Sequence, residues 1–289
     1  MRTVTALMLG ELLALSVAGC ARDPSIEVNG QQRTFVLHVP EGLSDPAPLV
    51  LVLHPFTGSG RQMQRVTGLD ALADREGFIV AYPNGRQRRW NVGAFGEGGV
   101  DDVAFLDALI DHIAANHPVD RARVCLTGGS NGGMMAQYYT CVRPERVAAV
   151  APVFGTLPRA TAALCPPGPP KPALFIHGTE DPILPYDGGG EGAVLSVEEN
   201  VAFWTARNGC PGATAETALP DTDPCDGTTT RRVARTGCAA DVELYIVEGG
   251  GHTWPGGGPD YPRWIVGRTA RDFSASETIW AFFRDKAAL

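Results

Sequence analysis

Residues 124–134 constrain the fold of this chain more than any other segment. A short apolar run is followed by Gly128-x-Ser130-x-Gly132 and then by residues that suit a helix. This pattern is typical of a sharp turn from a strand into a helix, where the serine has a strained backbone and larger side chains two positions away would collide. The motif alone is only suggestive, because a glycine-rich chain can match it by chance. Its context predicts a buried strand, a raised serine hydroxyl and a helix.

Apolar segments of strand length alternate with helical patterns over the rest of the chain. Strands are predicted in a hairpin around Asn29-Gly30 and at residues 49–53, 78–82, 123–127, 147–153, 173–177 and 242–247. Helices are predicted at residues 63–72 and 131–141, after a cap at Asp101 or Asp102, and after Ser196 and Ser274. This alternation predicts an α/β fold, a mostly parallel sheet with helices on both faces. About 20 residues separate the fourth and fifth buried strands, too few for a separate lid domain.

Length and charge limit the classes of function. A chain of 289 residues suits one large α/β domain or two small ones, and no repeat or low-complexity linker marks a second domain. The net charge of −8 argues against nucleic acid and against an anionic membrane surface as partners. Asp221, Asp223 and Asp226 faintly resemble a calcium loop, but their spacing is wrong and no metal site is predicted. We expect a monomer with a single domain over residues 20–289 and no cofactor.

The N-terminal residues resemble an export signal. Residues 1–19 begin with one basic residue and are mostly apolar, and residues 17–20 (Val-Ala-Gly-Cys) are similar to a bacterial lipobox. Residues 1–19 are therefore predicted to be a lipoprotein signal peptide and Cys20 to be lipidated, so that the exported protein meets the membrane only through its lipid anchor. Glu11 interrupts the apolar run, and the alternative is a buried N-terminal helix.

Six further cysteines suit an exported protein with disulfides. They permit up to three disulfides, and the sequence alone does not determine the pairing. We favour Cys210–Cys238, which would clamp a long loop, and Cys141–Cys165. Cys125 lies in the strand before the serine motif and is interpreted as a buried thiol.

Three residues at predicted strand ends could act together in acyl transfer. A serine hydroxyl needs a general base, and the base needs an acid that orients it. Asp181 follows a buried strand, and His252 follows the last strand with glycines before it. Because sites in such sheets gather at the carboxyl ends of strands, we predict Ser130 as nucleophile, His252 as base and Asp181 as acid, with Glu180 as the fallback acid. The order Ser, Asp, His is that of an α/β-hydrolase.

The oxyanion formed by attack on an ester needs two backbone N–H donors. The turn geometry predicts Asn131 as one of them. The second should come from the loop after residue 53, where Pro55 has no N–H to donate. Phe56 is the favoured donor and Thr57 the alternative.

Other side chains near predicted strand ends have weaker assignments. Trp90, Tyr186 and Trp254 could stack on an aromatic or sugar substrate, although packing under the loops explains Trp90 and Tyr186 equally well. His54 and His177 end strands and are expected to brace loops rather than to react.

Four stretches carry a family resemblance: residues 90–103, 127–135, 177–186 and 250–256, the last reading Gly-Gly-His-Thr-Trp-Pro-Gly. The chain resembles the polyhydroxybutyrate depolymerase and feruloyl esterase group of α/β-hydrolases (carbohydrate esterase family one), of the bacterial lipoprotein type. The resemblance implies a serine esterase acting on polyester or hydroxycinnamoyl (feruloyl) esters, and it supports the same triad. One departure is Pro55, which stands where the family usually has glycine.

The sequence therefore favours an exported serine carboxylic-ester hydrolase that works through an acyl-enzyme. Two alternatives stay open. One is a non-catalytic cell-envelope lipoprotein that binds a polymer or glycan, and the other is a peptidase or acyltransferase on the same triad, because a fold does not set the acyl acceptor.

Overall fold

The structure, a computed structural model, describes residues 23–93, 99–189, 193–258 and 261–287. The predicted signal peptide and the predicted lipidation site, Cys20, lie outside the described residues.

The described residues form one mixed sheet. Its strands are β1 (Ser25–Val28), β2 (Gln31–His38), β3 (Ala47–Leu53), β4 (Ile79–Pro83), β5 (Val119–Gly129), β6 (Ala149–Val153), β7 (Ala173–Gly178), β8 (Thr214–Ala218), β9 (Thr229–Arg235) and β10 (Val242–Glu248). They lie in the order β1-β2-β4-β3-β5-β6-β7-β10-β9-β8. The six central strands, from β4 to β10 in that order, pair in parallel, and the two strands at each edge pair antiparallel. The predicted α/β fold is confirmed.

The sequence patterns miss the edge strands β8 and β9. Every residue of β8 is exposed, and β9 contains three arginines, so neither strand has the apolar alternation that marks a half-buried strand. Backbone pairing with β10 and with each other holds them, and ion pairs between the strands add to it. The Arg231 guanidinium lies 3.0 Å from Glu216 on β8 and 3.3 Å from Glu248 on β10.

Helices cover both faces of the sheet. They are α1 (Gly60–Thr67), α2 (Leu69–Glu76), α3 (Asp102–Asn116), α4 (Asn131–Val142), α5 (Arg159–Leu164), α6 (Val197–Arg207), α7 (Arg263–Val266) and α8 (Ala275–Lys286). The single helix predicted over residues 63–72 is two helices, because Gly68 adopts a left-handed conformation with φ +60° and ends α1. The predicted caps are present: Asp101 caps α3, Ser196 forms a capping box on α6, and Ser274 caps α8. None of the helices in the described ranges has the length and apolar character that a bilayer crossing requires.

Two apolar clusters hold these helices on the sheet. One cluster includes Leu106 of α3 and Trp204 of α6, and the other includes Met63 of α1 and Phe282 of α8. Strands buried on both faces need continuous apolar runs, which explains why the sequence of β3 is almost entirely apolar.

Both favoured disulfides are present. Cys141–Cys165 joins α4 to the end of α5, and Cys210–Cys238 closes the segment that contains β8 and β9. Cys125 is a free buried thiol on β5, and burial raises its pKa to about 12. It is therefore a packing residue of the core rather than a reactive thiol.

Candidate active site

Ser130 lies on the turn between β5 and α4 in the strained conformation that the motif predicts. Its backbone has φ +53° and ψ −124°, and its N–H donates to the carbonyl of Val153 over 3.0 Å. The flanking glycines are required because the end of β3 approaches so closely. A Cβ on Gly128 would lie 2.5 Å from the Leu53 carbonyl oxygen, and a Cβ on Gly132 would lie 2.2 Å from it. The neighbouring strand therefore imposes the Gly-x-Ser-x-Gly pattern.

Asp181 and His252 form a closed pair at the same edge of the sheet. His252 Nδ1 lies 2.7 Å from Asp181 Oδ2, and the Asp181 side chain is fully buried. The other carboxylate oxygen accepts the backbone N–H groups of Ile183 and Leu184, each over 2.8 Å. Since this carboxylate acts as an acceptor throughout, Nδ1 of His252 carries the proton and Nε2 retains a free lone pair. An imidazole in this state can take a proton from a hydroxyl.

Glycines before each residue of this pair allow the two loops to meet. A Cβ on Gly178 would lie 2.2 Å from the Gly250 carbonyl oxygen, and a Cβ on Gly251 would lie 2.1 Å from that of Val266. Glu180, the fallback acid, points elsewhere and forms an exposed ion pair of 2.6 Å with Arg268.

Phe154, which sequence reasoning missed, links the serine turn to the histidine. It follows β6 with φ +38°, and its ring centroid lies 4.5 Å from that of the His252 imidazole. The same ring is so close to Gly129 that a Cβ there would lie 2.4 Å from it. Its position directly after a buried strand was the one available signal. Within the described residues no hydrogen bond joins Ser130 Oγ to His252, and such contacts are often loose before a substrate binds.

Two further histidines at strand ends are buried and neutral. The Gly85 N–H donates to His54 Nε2 over 2.9 Å, so Nδ1 carries the proton and donates to the Pro55 carbonyl over 2.8 Å. Burial lowers the pKa of His54 to about 4. Burial also lowers the pKa of His177 to about 4, and its Nε2 has no hydrogen-bond partner in the described part of the chain. His54 braces its loop as expected. His177 makes no such bond through Nε2 within the described residues.

The loop after β3 distinguishes the two candidate oxyanion donors. The Thr57 N–H donates to the Arg88 carbonyl over 2.8 Å and is therefore occupied. The N–H groups of Phe56 and Asn131 have no hydrogen-bond partner among the described residues. Of the two alternatives from the sequence, the structure favours Phe56 as the second donor beside Asn131.

The aromatic residues expected to contact substrate differ in exposure. Trp90 is 2% exposed, which favours packing beneath its loop, whereas Trp254 is 3% exposed but lines the groove that opens beside His252. Trp90 Nε1 donates to the His54 carbonyl over 2.9 Å, and Trp254 Nε1 donates to Ser276 Oγ over 3.0 Å. Tyr186 is half-buried, and its hydroxyl donates to Glu198 over 3.0 Å. Burial therefore favours loop packing for Trp90, and substrate contact by Trp254 and Tyr186 stays a prediction.

A groove of about 410 Å³ opens beside His252. Met63, Val66 and Phe154 supply part of an apolar wall, whereas Arg263 and Arg271 supply charge. Trp264, next to this groove on α7, is 85% exposed.

The chain is similar in sequence to known esterases. Residues 33–164 match the family described as Esterase PHB depolymerase. The putative esterase NocK of Nocardia uniformis subsp. tsuyamanensis is 34% identical over 278 residues, covering 89% of this chain and 80% of that protein. A probable feruloyl esterase C of Aspergillus terreus is 31% identical over 265 residues, covering 86% of this chain and 89% of that protein.

The fold is also similar to that of solved esterase structures. An acetyl xylan esterase from Aspergillus awamori matches with a TM-score of 0.56 at 18% identity, over 76% of this chain and 89% of that chain. At this identity the likeness concerns the fold alone, and it confirms the α/β-hydrolase architecture.

Proposed function

Because the chain belongs to the Esterase PHB depolymerase family, it is a serine carboxylic ester hydrolase, and we propose that Ser130, Asp181 and His252 are its catalytic triad. One observation carries this proposal: a buried carboxylate holds the His252 imidazole by Nδ1 at the sheet edge where the strained Ser130 turn lies. A buried carboxylate alone can be structural, so the proposal depends on its combination with the imidazole and with the serine turn.

The proposed reaction follows from these positions. Ser130 Oγ attacks the ester carbonyl carbon while His252 Nε2 accepts the hydroxyl proton. Asp181 stabilises the imidazolium, and the N–H groups of Phe56 and Asn131 donate to the oxyanion. The imidazolium then returns the proton to the departing alcohol. A water molecule, deprotonated by His252, then attacks the carbonyl carbon of the acyl-enzyme. The carboxylic acid leaves and Ser130 regains its proton.

For the substrate, we propose hydroxycinnamoyl esters such as feruloyl esters. A relative that matches most of this chain is named a probable feruloyl esterase, and the groove beside His252 combines an apolar wall with arginines. Polyester is the second candidate, supported by the family description and by the exposed Phe56 and Trp264 near the groove. Turnover of methyl ferulate and of amorphous polyhydroxybutyrate, measured side by side, would separate these classes.

For the cellular location, we propose an exported lipoprotein in which residues 1–19 are removed and Cys20 is lipidated. The two disulfides support an oxidising compartment. Incorporation of labelled palmitate into the wild type and not into Cys20→Ser would support the proposal, whereas equal labelling of both would contradict it.

The first test of the triad is Ser130→Ala. Loss of the nucleophile should lower kcat on p-nitrophenyl butyrate by about 10⁶-fold while circular dichroism is unchanged. Ser44→Ala, at an exposed position before β3, is the matched control and should keep full activity.

A fluorophosphonate probe distinguishes the esterase from a non-catalytic binder. It should label the wild type and Ser44→Ala but not Ser130→Ala. Absence of labelling in the wild type would favour the binder, and retained turnover in Ser130→Ala would defeat the assignment.

A further inference from the structure

The loop Gly85–Trp90, named here the Trp90 loop, contacts the serine turn through the Asn131 side chain. The Trp90 N–H donates to Asn131 Oδ1 over 2.7 Å, and Asn131 Nδ2 donates to the Trp90 carbonyl over 3.2 Å. This two-point contact fixes the residue whose backbone N–H is the first proposed oxyanion donor. A side-chain amide pairing with a backbone amide in this way defines both distance and orientation.

The same loop contacts the segment that supplies the second donor. Trp90 Nε1 donates to the His54 carbonyl over 2.9 Å, and the Gly85 N–H donates to His54 Nε2 over 2.9 Å. On the other side of Phe56, the Arg88 carbonyl accepts the Thr57 N–H over 2.8 Å, and Arg88 Nε donates to the Gly58 carbonyl over 3.2 Å. These contacts hold the backbone on both sides of Phe56.

The Trp90 loop is itself anchored in the protein interior. The Asn91 N–H donates to Asp102 Oδ2 over 2.7 Å, and the buried Asp102 carboxylate pairs with Arg33 over 2.5 Å. The Trp90 ring is stacked near Phe105, with 6.5 Å between centroids. Because its neighbours are buried and paired, Trp90 is a fixed reference point.

We propose that Trp90 is a positioning residue that sets the separation of the two oxyanion donors, Phe56 and Asn131. The inference rests on the proposed function and goes beyond it, because Trp90 touches neither substrate nor the reacting atoms. Its backbone N–H is hydrogen-bonded to Asn131, and its indole N–H is hydrogen-bonded to the carbonyl of His54, two residues before Phe56. Pro55 adds to the importance of this link, since a proline has no N–H with which to hold the loop.

The expected role follows from what oxyanion stabilisation requires. Donors must lie about 2.7–3.1 Å from the oxygen of the tetrahedral intermediate, and removal of one donor costs about 10²–10³-fold in kcat. Loosening one donor without removing it should cost less. Because the donors act on charge that develops in the transition state, the loss should appear in kcat and not in KM.

The test is Trp90→Phe, which removes the indole N–H and keeps an aromatic ring in the core. On p-nitrophenyl butyrate, kcat should fall about 10- to 100-fold while KM changes less than about threefold. The inhibition constant of phenylboronic acid, whose adduct with the serine is tetrahedral, should rise by the same factor as kcat falls. Asn131→Ala removes the other link but keeps the Asn131 N–H, and it should lower kcat by about tenfold or more.

The matched control is Trp280→Phe, which deletes an indole donor to Glu76 over 3.1 Å and lies on α8. It should lower the melting temperature and leave kcat and boronate inhibition unchanged. If Trp90→Phe does not fold, Asn131→Ala with the same two readouts decides the matter.

Wild-type kcat in Trp90→Phe or in Asn131→Ala, a rise in KM alone, or an equal loss of kcat in Trp280→Phe would overturn the proposal. Fluorophosphonate labelling of the wild type separates this failure from failure of the triad. An unlabelled wild type contradicts the proposed function, whereas a labelled and active wild type whose Trp90→Phe variant is equally active contradicts only the role of Trp90.

Discussion

The loops after β3 and β10 each place a histidine at the carboxyl edge of the sheet, and the two imidazoles differ in their partners. His252 Nδ1–H donates a hydrogen bond to the buried Asp181 carboxylate. His54 Nδ1–H donates a hydrogen bond to a backbone carbonyl, and its Nε2 accepts one from the Gly85 N–H. Strand-end position is therefore insufficient to identify a base. The partner of each nitrogen decides whether the imidazole can accept a proton from a substrate or only holds a loop.

The largest expected effect comes from deleting the two imidazoles in turn. His252→Ala should lower kcat on p-nitrophenyl butyrate by about 10⁶-fold, because the serine loses its base. His54→Phe keeps a buried ring and removes only loop hydrogen bonds, so its kcat should fall by about tenfold. Equal losses in the two variants, or an active His252→Ala, would contradict the division of roles.

A second comparison concerns the adjacent carboxylates, Asp181 and Glu180. Asp181→Asn keeps the shape but loses the charge and favours the wrong imidazole tautomer, so kcat should fall by about 10⁴-fold. Glu180→Gln breaks only an exposed ion pair with Arg268, and its kcat should change by less than about threefold. Steady-state kinetics on the same ester measures both variants. A larger loss in Glu180→Gln would make Glu180 the acid.

The smallest expected effect is on stability as a function of pH. Burial lowers the pKa of His54 and of His177 to about 4, below the value of about 6.5 for an unfolded chain. Between these values the unfolded chain binds protons that the native protein does not. The free energy of unfolding is therefore unaffected by these histidines above about pH 6.5. It falls as the pH falls towards 4, by about 1.4 kcal/mol per pH unit for each histidine.

Urea unfolding at pH 7 and pH 4.5 measures this loss, and His177→Phe serves as the comparison. The variant should lose less stability than the wild type over this interval, because one of the two histidines is gone. Carboxylates that do not act on His177 contribute equally to both proteins and cancel in the difference, which leaves Asp181 as the one interacting carboxylate. An identical loss in the two proteins would show that the His177 pKa is not lowered.

Much of the fold is encoded in local patterns. Continuous apolar runs mark the parallel strands, and the caps at Asp101, Ser196 and Ser274 mark three helix starts, because these signals depend on residues close together in the chain. The break at Gly68 and the strands β8 and β9 were missed. The first is marked by a single glycine inside a pattern of helical spacing, and the others are held by backbone pairing with neighbouring strands rather than by apolar alternation.

For the candidate site, residue type and position relative to the strands predicted Ser130, Asp181 and His252, and the structure pairs the last two. Residue type and position left substrate contact and loop packing open for Trp90, which the structure buries. An aromatic residue after a strand has the same sequence signal whether it faces solvent or packs beneath a loop. Only contacts with segments distant in sequence, such as His54 for Trp90, separate the two cases.

The sequence by itself determined the class of sheet, the serine turn, and which hydroxyl, carboxylate and imidazole could meet, because strand ends and glycine turns are written in short local patterns. Only the tertiary structure decided which loop amides are free of hydrogen bonds within the described residues, which carboxylate holds the His252 imidazole, and which histidines are buried. Those properties depend on burial and on hydrogen bonds between segments that come together only when the sheet is assembled.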